Sequence, residues 1–410
     1  MANIIIQFQN YRPTAIDLFS GAGGLSLGFE QAGFDVISAV EIDPVHAAVH
    51  KYNFPKCNTI CTDISDLSGE DLSADMEIDV IIGGPPCQGF SLIGKRDMDD
   101  PRNNLVFQFM RMVKEVKPKY FVMENVAGLT IGKAKEFLQS VISDIEISGY
   151  YVVNPYKVLN AMNYGVPQSR KRLFLMGYRN DQKEPQYPVE KDDTPTVNAA
   201  ISDLPNIDGF EELMESDILA YPVNPKSSYA KTLHGCLSDA DDFSYDRIWD
   251  RNVLTGCLRT QHTHKSIERF IATAEGEIEP ISRFLKLNPS GVCNTLRAGT
   301  DKSRGAYTSP RPIHPRDNRC ISVREAQRLH SYPDWFRMHS TKWHGFREVG
   351  NSVPPFLARA VASQIIIALG VRPFKPIGEI TLGDNQLLYL NITSAKILLE
   401  AKAQWAIMEG

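Results

Sequence analysis

The sequence predicts an α/β fold: a doubly wound, mostly parallel sheet joined to a smaller irregular, β-rich domain. Three observations carry that reading. Up to about Gly177, strand-like and helix-like segments alternate, as βαβ units require. A glycine-rich turn, Ser20-Gly21-Ala22-Gly23-Gly24, follows the first apolar strand. A further apolar run, Ile78 to Ile82, ends in Gly83-Gly84-Pro85-Pro86-Cys87-Gln88. Its two prolines fix φ at about −65° and remove two N–H donors, so neither helix nor central strand continues through Cys87.

The elements follow in order. Ala15 to Phe19 reads as the first strand, and Leu25 to Glu30 opens a helix after the glycine turn. Val36 to Val40 is a second strand closing at Glu41. Leu105 to Val116 has helical apolar spacing, whereas Tyr120 to Met123 and Arg172 to Gly177 read as buried strands. Near the end, Gln386 to Leu390 reads as a strand and Ser394 to Met408 as an amphipathic helix.

Composition narrows the setting. The 7 cysteines show no C-x-x-C spacing, so neither a zinc cage nor a disulfide framework is indicated and a reduced, cytosolic protein is expected. No basic leader precedes Ile4-Ile5-Ile6, and no run approaches the roughly 18 apolar residues of a membrane span, so neither secretion nor a membrane partner is expected. Four histidines, at 234, 262, 264 and 314, have no cysteine or acid at ligand spacing, and no metal is expected. The net charge of −5 is unevenly spread: residues 225–350 hold 20 Lys/Arg against 14 Asp/Glu. The excess is mainly arginine, whose guanidinium suits phosphates and guanine edges. A polyanion partner follows, with a solvated charged face as the alternative.

In open α/β sheets ligands bind at the carboxyl ends of the strands. Cys87 is therefore a candidate nucleophile, and a small buried hydrophobe otherwise. The glycine turn and Glu41 suit a nucleoside, since glycines allow close backbone approach and an acid about 20 residues on accepts from ribose hydroxyls. NAD, FAD and S-adenosylmethionine fit equally well. Asp63, after another strand, either accepts from an adenine amino group or caps a helix. Glu124 ends a buried strand, so it either pairs with an arginine or works with a raised pKa. Gln168-Ser169-Arg170-Lys171-Arg172 supplies two arginines that strand alternation aims to one side.

Taken in order, these pieces resemble the motifs of the DNA cytosine-5 methyltransferase family of the prokaryotic restriction-modification type. The resemblance rests on Asp17-Leu18-Phe19-Ser20-Gly21-Ala22-Gly23-Gly24, Glu41, Asp63, Pro85-Pro86-Cys87-Gln88, Glu124-Asn125-Val126 and Gln168-x-Arg170-x-Arg172. Arg324-Glu325-Ala326-x-Arg328-Leu329 and Gly350-Asn351-Ser352-Val353-Pro354-Pro355 complete it, bracketing residues 14–370. His330-Ser331-Tyr332-Pro333 departs from the commoner Gln-Gly-Phe-Pro, and Ile42 stands where a larger side chain often packs on adenine.

The resemblance implies a catalytic cofactor-binding domain over 1–180, a target-recognition domain over 181–322, a return segment over 323–375 and an extension of unassigned role over 376–410. It implies S-adenosylmethionine as cofactor and a specific double-stranded DNA sequence as substrate. Cys87 would add to C6 of a flipped-out cytosine and Glu124 would hold N3. Arg170 would contact O2 and help fix Glu124, and Arg172 would support the carboxylate and the catalytic loop. Phe19, Gly21, Gly23, Glu41, Ile42, Asp63, Ile64, Pro86 and Leu105 would bind the cofactor, with Asn351, Ser352 and Val353 closing its methionine side. The loop from Leu92 to Asn104 would close over the extruded base. A monomer acting on cytoplasmic, nucleoid DNA beside a cognate restriction endonuclease is the implied setting. An RNA cytosine-5 methyltransferase of the transfer-RNA type shares these motifs, and the large arginine-rich region favours duplex DNA over it. An NAD-dependent oxidoreductase leaves the proline-cysteine turn without a purpose. A non-catalytic DNA-binding relative needs a broken motif, and none is broken.

Overall fold

Thr14–Leu18 forms β1, the strand on which the sheet turns. In the computed structural model, which describes residues 11–74, 76–86, 104–300 and 311–399, β1 is flanked by β2 (Asp35–Glu41) and β4 (Val80–Gly83), both parallel to it. β3 (Asn58–Cys61) pairs outside β2, and β5 (Tyr120–Val126) pairs outside β4, again parallel. β8 (Lys171–Arg179) then runs antiparallel to β5 and carries β6 (Tyr150–Val152) and β7 (Lys157–Asn160) on successive stretches of its outer side. The order is β3-β2-β1-β4-β5-β8, with the reversal of direction lying between β1 and β4. That reversal opens a crevice at the strand C-termini.

Local chemistry explains the first helices. α1 (Gly24–Ala32) starts at Gly23, φ 100°, and ends at Gly33, φ 109°, whose N–H returns to the carbonyls of Glu30 and Phe29. Both glycines hold left-handed backbone that a side chain would strain. α2 (Pro44–Asn53) has proline in its first turn, and the Asp43 side chain accepts from the N–H groups of Val45 and His46. α3 (Gly69–Ser73), α4 (Asn104–Val116) and α5 (Lys133–Ile147) complete the first half. β4 and β5 are almost continuously apolar and buried, as strands covered on both faces must be.

Beyond β8 the chain carries α6 (Val197–Ile201), the short strands β9 (Leu219–Ala220), β10 (Asp246–Ile248) and β11 (Val253–Leu254), and helices α7 (Ser228–Leu233) and α8 (His264–Ala272). α9 (Val323–Leu329), α10 (Lys342–Asn351) and α11 (Pro355–Leu369) then return to the sheet. β12 (Glu379–Thr381) pairs with β10. Residues of 181–322 divide between two settings. Val197, Ile201, Leu233, Leu287 and Leu296 join the main core with α1 and α11, whereas Ile207, Leu213, Leu219, Leu254 and Cys257 form a separate cluster.

α11 lies along α1 because Gly28 lets them touch: a Cβ there would stand 2.3 Å from the Ala358 Cβ. By length and composition Lys342–Leu369 matches a membrane-crossing helix, yet the chain breaks at Ser352-Val353-Pro354 and α11 is the buried core helix. The strand expected over 386–390 is instead a 3-10 turn, Asn385–Tyr389, started by the Asp384 side chain accepting from the Gln386 N–H. Residues 392–399 are helical, and the rest of that expected helix lies outside the described residues.

Five of the arginines expected to face a polyanion, Arg247, Arg319, Arg324, Arg328 and Arg337, are buried instead. Arg319 pairs with Glu325 at 2.8 Å, Arg328 with Asp334 at 2.5 Å, Arg247 with Glu30 at 2.9 Å and Arg337 with Asp217 at 3.3 Å. Arg324 donates to the Thr255 carbonyl and hydroxyl. Arg247 ties β10 to α1, and the others tie α9 and its flanking segments together and to the region before them; a buried arginine whose donors are met locally has none to offer DNA. Arg251, Arg283, Arg297 and Arg316 remain exposed.

Candidate active site

The glycine turn is built around one carboxylate. β1 ends at Leu18, and Phe19 takes φ 62°, a bend that turns the chain out of the sheet. Gly21 follows with φ 55°, and its N–H donates to Glu41 Oε2 at 2.7 Å. The Asp43 N–H donates to Oε1 of the same carboxylate at 2.9 Å. Glu41 is thus held by two backbone donors at the end of β2, leaving each oxygen a lone pair toward the crevice. Beside it Ile42 is 62% exposed, a large apolar side chain at the surface.

Other predicted contacts converge there. Ile64 is buried in the cluster against which Phe19 and Leu105 also pack. Arg111, on α4, donates to the carbonyls of Ile64 at 2.8 Å and Leu67 at 3.0 Å, fixing that turn. The Asp63 side chain accepts from the Ser65 N–H at 2.9 Å and hydroxyl at 2.8 Å, so it does cap the turn. Ser352 and Val353 lie on the start of α1, where a Cβ on Gly24 would meet the Val353 carbonyl at 2.4 Å. Gly23 is equally confined, 2.3 Å from the Phe54 ring by the same construction. Asn351 is exposed at the same break.

Behind the turn lies a polar relay that the sequence did not single out. Asp17 Oδ2 accepts from the Ser26 hydroxyl at 2.5 Å, Ser26 Oγ meets His50 Nε2 at 3.0 Å, and His50 Nδ1 meets Thr59 Oγ1 at 3.0 Å. Burial pushes the Asp17 carboxyl up to about 7 and the imidazole of His50 down to about 3.

The second half of the site stands at the ends of β4 and β5, paired in register from Val80↔Tyr120 to Gly83↔Met123. Asn125 Nδ2 donates to the Pro85 carbonyl at 3.0 Å, holding the proline turn against β5. A Cβ on Gly84 would stand 2.8 Å from Glu124 Oε2, so the carboxylate occupies the space a side chain would need. Glu124 is buried, and its Oε1 is 2.8 Å from Arg172 Nε. Burial raises its carboxyl pKa, outweighing the pull of Arg172 and Arg170. Both alternatives for this residue hold together: it is paired and its pKa is raised. Pro86 ends the described stretch, and Cys87 with the loop from Leu92 lies outside the described residues.

Arg170 is engaged by backbone carbonyls. It is fully buried, donating to the carbonyls of Leu296 at 2.8 Å, Gly350 at 2.7 Å and Ser352 at 2.9 Å. Three carbonyls from distant segments engage its two terminal nitrogens, and the hydrogen-bonded partner of Glu124 is Arg172. Gln168 completes the clamp. Its Oε1 accepts from the Leu296 N–H at 3.1 Å, and its Nε2 lies 2.9 Å from His330 Nδ1. His330 Nε2 faces the Ser352 carbonyl at 3.1 Å; a carbonyl only accepts, so that nitrogen carries the proton. Gln168 was legible only as part of the arginine motif.

Together these features define an α/β enzyme whose crevice fits a nucleoside cofactor beside an acid–arginine pair. A family model for C-5 cytosine-specific DNA methylase matches residues 14–367. The chain is 56% identical over 389 residues to the type II methyltransferase M.XorII of Xanthomonas oryzae pv. oryzae, covering 94% of this chain and 92% of that relative. It is 34% identical to the type II methyltransferase M.DdeI of Desulfomicrobium norvegicum, over 85% of this chain and 88% of that one. A crystal structure described as a DNA modification methyltransferase encoded within an E. coli prophage superposes with TM-score 0.73 and 34% identity, covering 87% of this chain and 99% of that one. The protein belongs to the C-5 cytosine-specific DNA methylase family, and its activity class is DNA (cytosine-5-)-methyltransferase.

Proposed function

We propose that the protein transfers a methyl group from S-adenosylmethionine to C5 of a flipped-out cytosine in a specific double-stranded DNA sequence. Its setting is the bacterial cytoplasm and nucleoid, where it acts as a monomer protecting sites of a cognate restriction endonuclease. The observation that carries this reading is the buried Glu124–Arg172 pair against the turn that leads into Cys87.

The chemistry explains why such a pair is needed. C5 of cytosine is too weak a nucleophile until the ring gains electron density. The Cys87 thiolate adds to C6, and the C5–C6 π electrons become available at C5. Glu124 in its protonated form donates to N3 and offsets the charge that develops there, which is why a raised carboxyl pKa serves the reaction. Arg172 orients the carboxylate. After C5 is methylated, loss of its proton and β-elimination restore the thiolate and the aromatic ring. A stacked cytosine shields C6, so the base leaves the duplex at a cost of a few kcal/mol.

The crevice fits S-adenosylmethionine. Glu41 offers acceptors to the ribose, Ile42 an apolar face to adenine, and Asp63 and Ile64 border its polar edge. Phe19, Gly21, Gly23, Pro86 and Leu105 line the approach, and Asn351, Ser352 and Val353 close the methionine side. When bound, that cofactor supplies the electrophilic methyl group.

Incubation with methyl-labelled S-adenosylmethionine and either unmethylated plasmid DNA or transfer RNA tests the reading. Label in DNA as 5-methylcytosine at one recurring sequence is expected. Label confined to transfer RNA, or to neither, would replace it.

A further inference from the structure

We propose that Arg297 grips the DNA phosphate backbone beside the target nucleotide, an inference that rests on the function proposed above. Five arginines of residues 225–350 are buried and internally engaged, as described. Arg297 differs: its side chain is exposed, and it has no ion pair among the described residues.

Its backbone is held unusually firmly for an exposed residue. The segment begins alongside the strand that supplies Arg172, with a parallel bridge between Gln168 and Cys293. The Cys293 N–H donates to the Pro167 carbonyl and the Ser169 N–H to the Cys293 carbonyl, each at 2.8 Å. Thr295 Oγ1 then donates to the Ser169 carbonyl at 2.8 Å. Both backbone groups of Leu296 are clamped, its N–H by Gln168 at 3.1 Å and its carbonyl by Arg170 at 2.8 Å. On the far side Gly350 lies flush, since a Cβ there would stand 2.3 Å from the Ala298 nitrogen and the Arg297 carbonyl carbon.

Arg297 directly follows Leu296, whose carbonyl takes the Arg170 guanidinium, and Arg170 is near enough to Glu124 to pull its carboxyl pKa down. A guanidinium carried there, on a segment that five hydrogen bonds hold in place, is close to the acid–arginine pair proposed to receive the extruded base. The strand bearing that base must bring its phosphates past this point. A cation on a held backbone, with no ion pair among the described residues, is what a phosphate there would meet. The contact would position the nucleotide without reading sequence.

The experiment uses the full chain, with R297Q and R297K, and R372Q as a control. Arg372 is exposed just beyond the far end of α11, remote from the glycine turn. Binding to a fluorescent DNA duplex is measured across salt concentrations, and methyl transfer to unmethylated plasmid DNA is followed by site sequencing. For R297Q the salt slope is expected to fall by about one and DNA affinity by about tenfold, equally at every modified site. R297K and R372Q should keep the wild-type slope, and melting temperature and cofactor affinity should not move. A wild-type slope and KM for DNA in R297Q would overturn the proposal, as would a changed set of modified sites with an unchanged slope. Wild-type protein that binds duplex but labels none of it would sink the proposed function instead, and the slope comparison would still judge Arg297.

Discussion

Arg172 meets Glu124 diagonally across two antiparallel strands. Register pairs Arg172 with Val126, two residues beyond Glu124 on the same face, and Nε reaches Oε1 at 2.8 Å. Diagonal neighbours on one sheet face are within reach of long side chains. The arginine therefore orients the carboxylate while burial keeps its pKa raised.

Removing that arginine should separate catalysis from binding. Arg172→Ala is expected to lower the single-turnover methyl-transfer rate by about 10²–10³, the scale for losing one pre-organised polar contact, with cofactor affinity intact. Arg172→Lys should recover little, since a point charge lacks the planar fork. The reactive form is protonated, so the rate falls as pH rises through the Glu124 pKa. Loss of Arg172 removes a lowering influence and should move that limb to higher pH. Equal limbs in a pH–rate series would separate Arg172 from Glu124.

Gly84→Ala is a second, steric test. The added Cβ would lie 2.8 Å from Glu124 Oε2, which displaces the carboxylate rather than unfolding the sheet. A fall in kcat of at least about tenfold is expected, with little change in melting temperature. Unaltered kcat would mean that the carboxylate position does not matter.

How much was legible in the sequence depended on where the determining contacts lay. Strands such as Ile78 to Ile82 and Tyr120 to Met123 read correctly to within a few residues, because strands covered on both faces are nearly unbroken apolar runs. Glu124 stood out because an acid ending such a run needs a partner. That Arg172 supports it came only through the family resemblance: by spacing Arg170 and Arg172 are equivalent, and the carbonyls that engage Arg170, those of Leu296, Gly350 and Ser352, lie more than 120 residues away. The arginine excess could not show which arginines are available to DNA, for a related reason. Charge counts ignore partners, and Arg328 is closed off by Asp203 and Asp334. The segment over 386–390 was misread because one Asp384 cap outweighs a weak apolar alternation.

Glu41→Ala should weaken S-adenosylmethionine binding by roughly 1.5–3 kcal/mol, the range for hydrogen bonds to a charged group, or about 10–100-fold in Kd. Isothermal titration measures it. At saturating cofactor the methyl-transfer rate should largely recover, and an unchanged Kd would remove Glu41 from the site.

Asp17 gives the fold a pH signature. Its folded-state pKa of about 7 lies above the unfolded value near 3.8, so the folded state binds more protons between them. Its contribution is complete below the lower value and is lost as pH rises through the upper one. Asp17→Asn mimics the protonated acid. Its stability should match wild type near pH 4 and exceed it by roughly 2–4 kcal/mol at pH 8, since each tenfold change in proton affinity is worth about 1.4 kcal/mol. Parallel denaturation midpoints across that range would show that Asp17 is not the titrating group.

The account stands on Cys87 as the atom that bonds to the base. Duplex DNA carrying 5-fluorocytosine at the modified site blocks the final proton loss, and mass spectrometry of the digested protein then reads where the nucleotide is attached. With S-adenosylmethionine present, a methylated fluorocytosine adduct is expected on the Cys87 peptide of the wild-type protein, and neither adduct nor methylation of ordinary DNA with Cys87→Ala. Undiminished methylation by Cys87→Ala, or attachment at another residue, would contradict it.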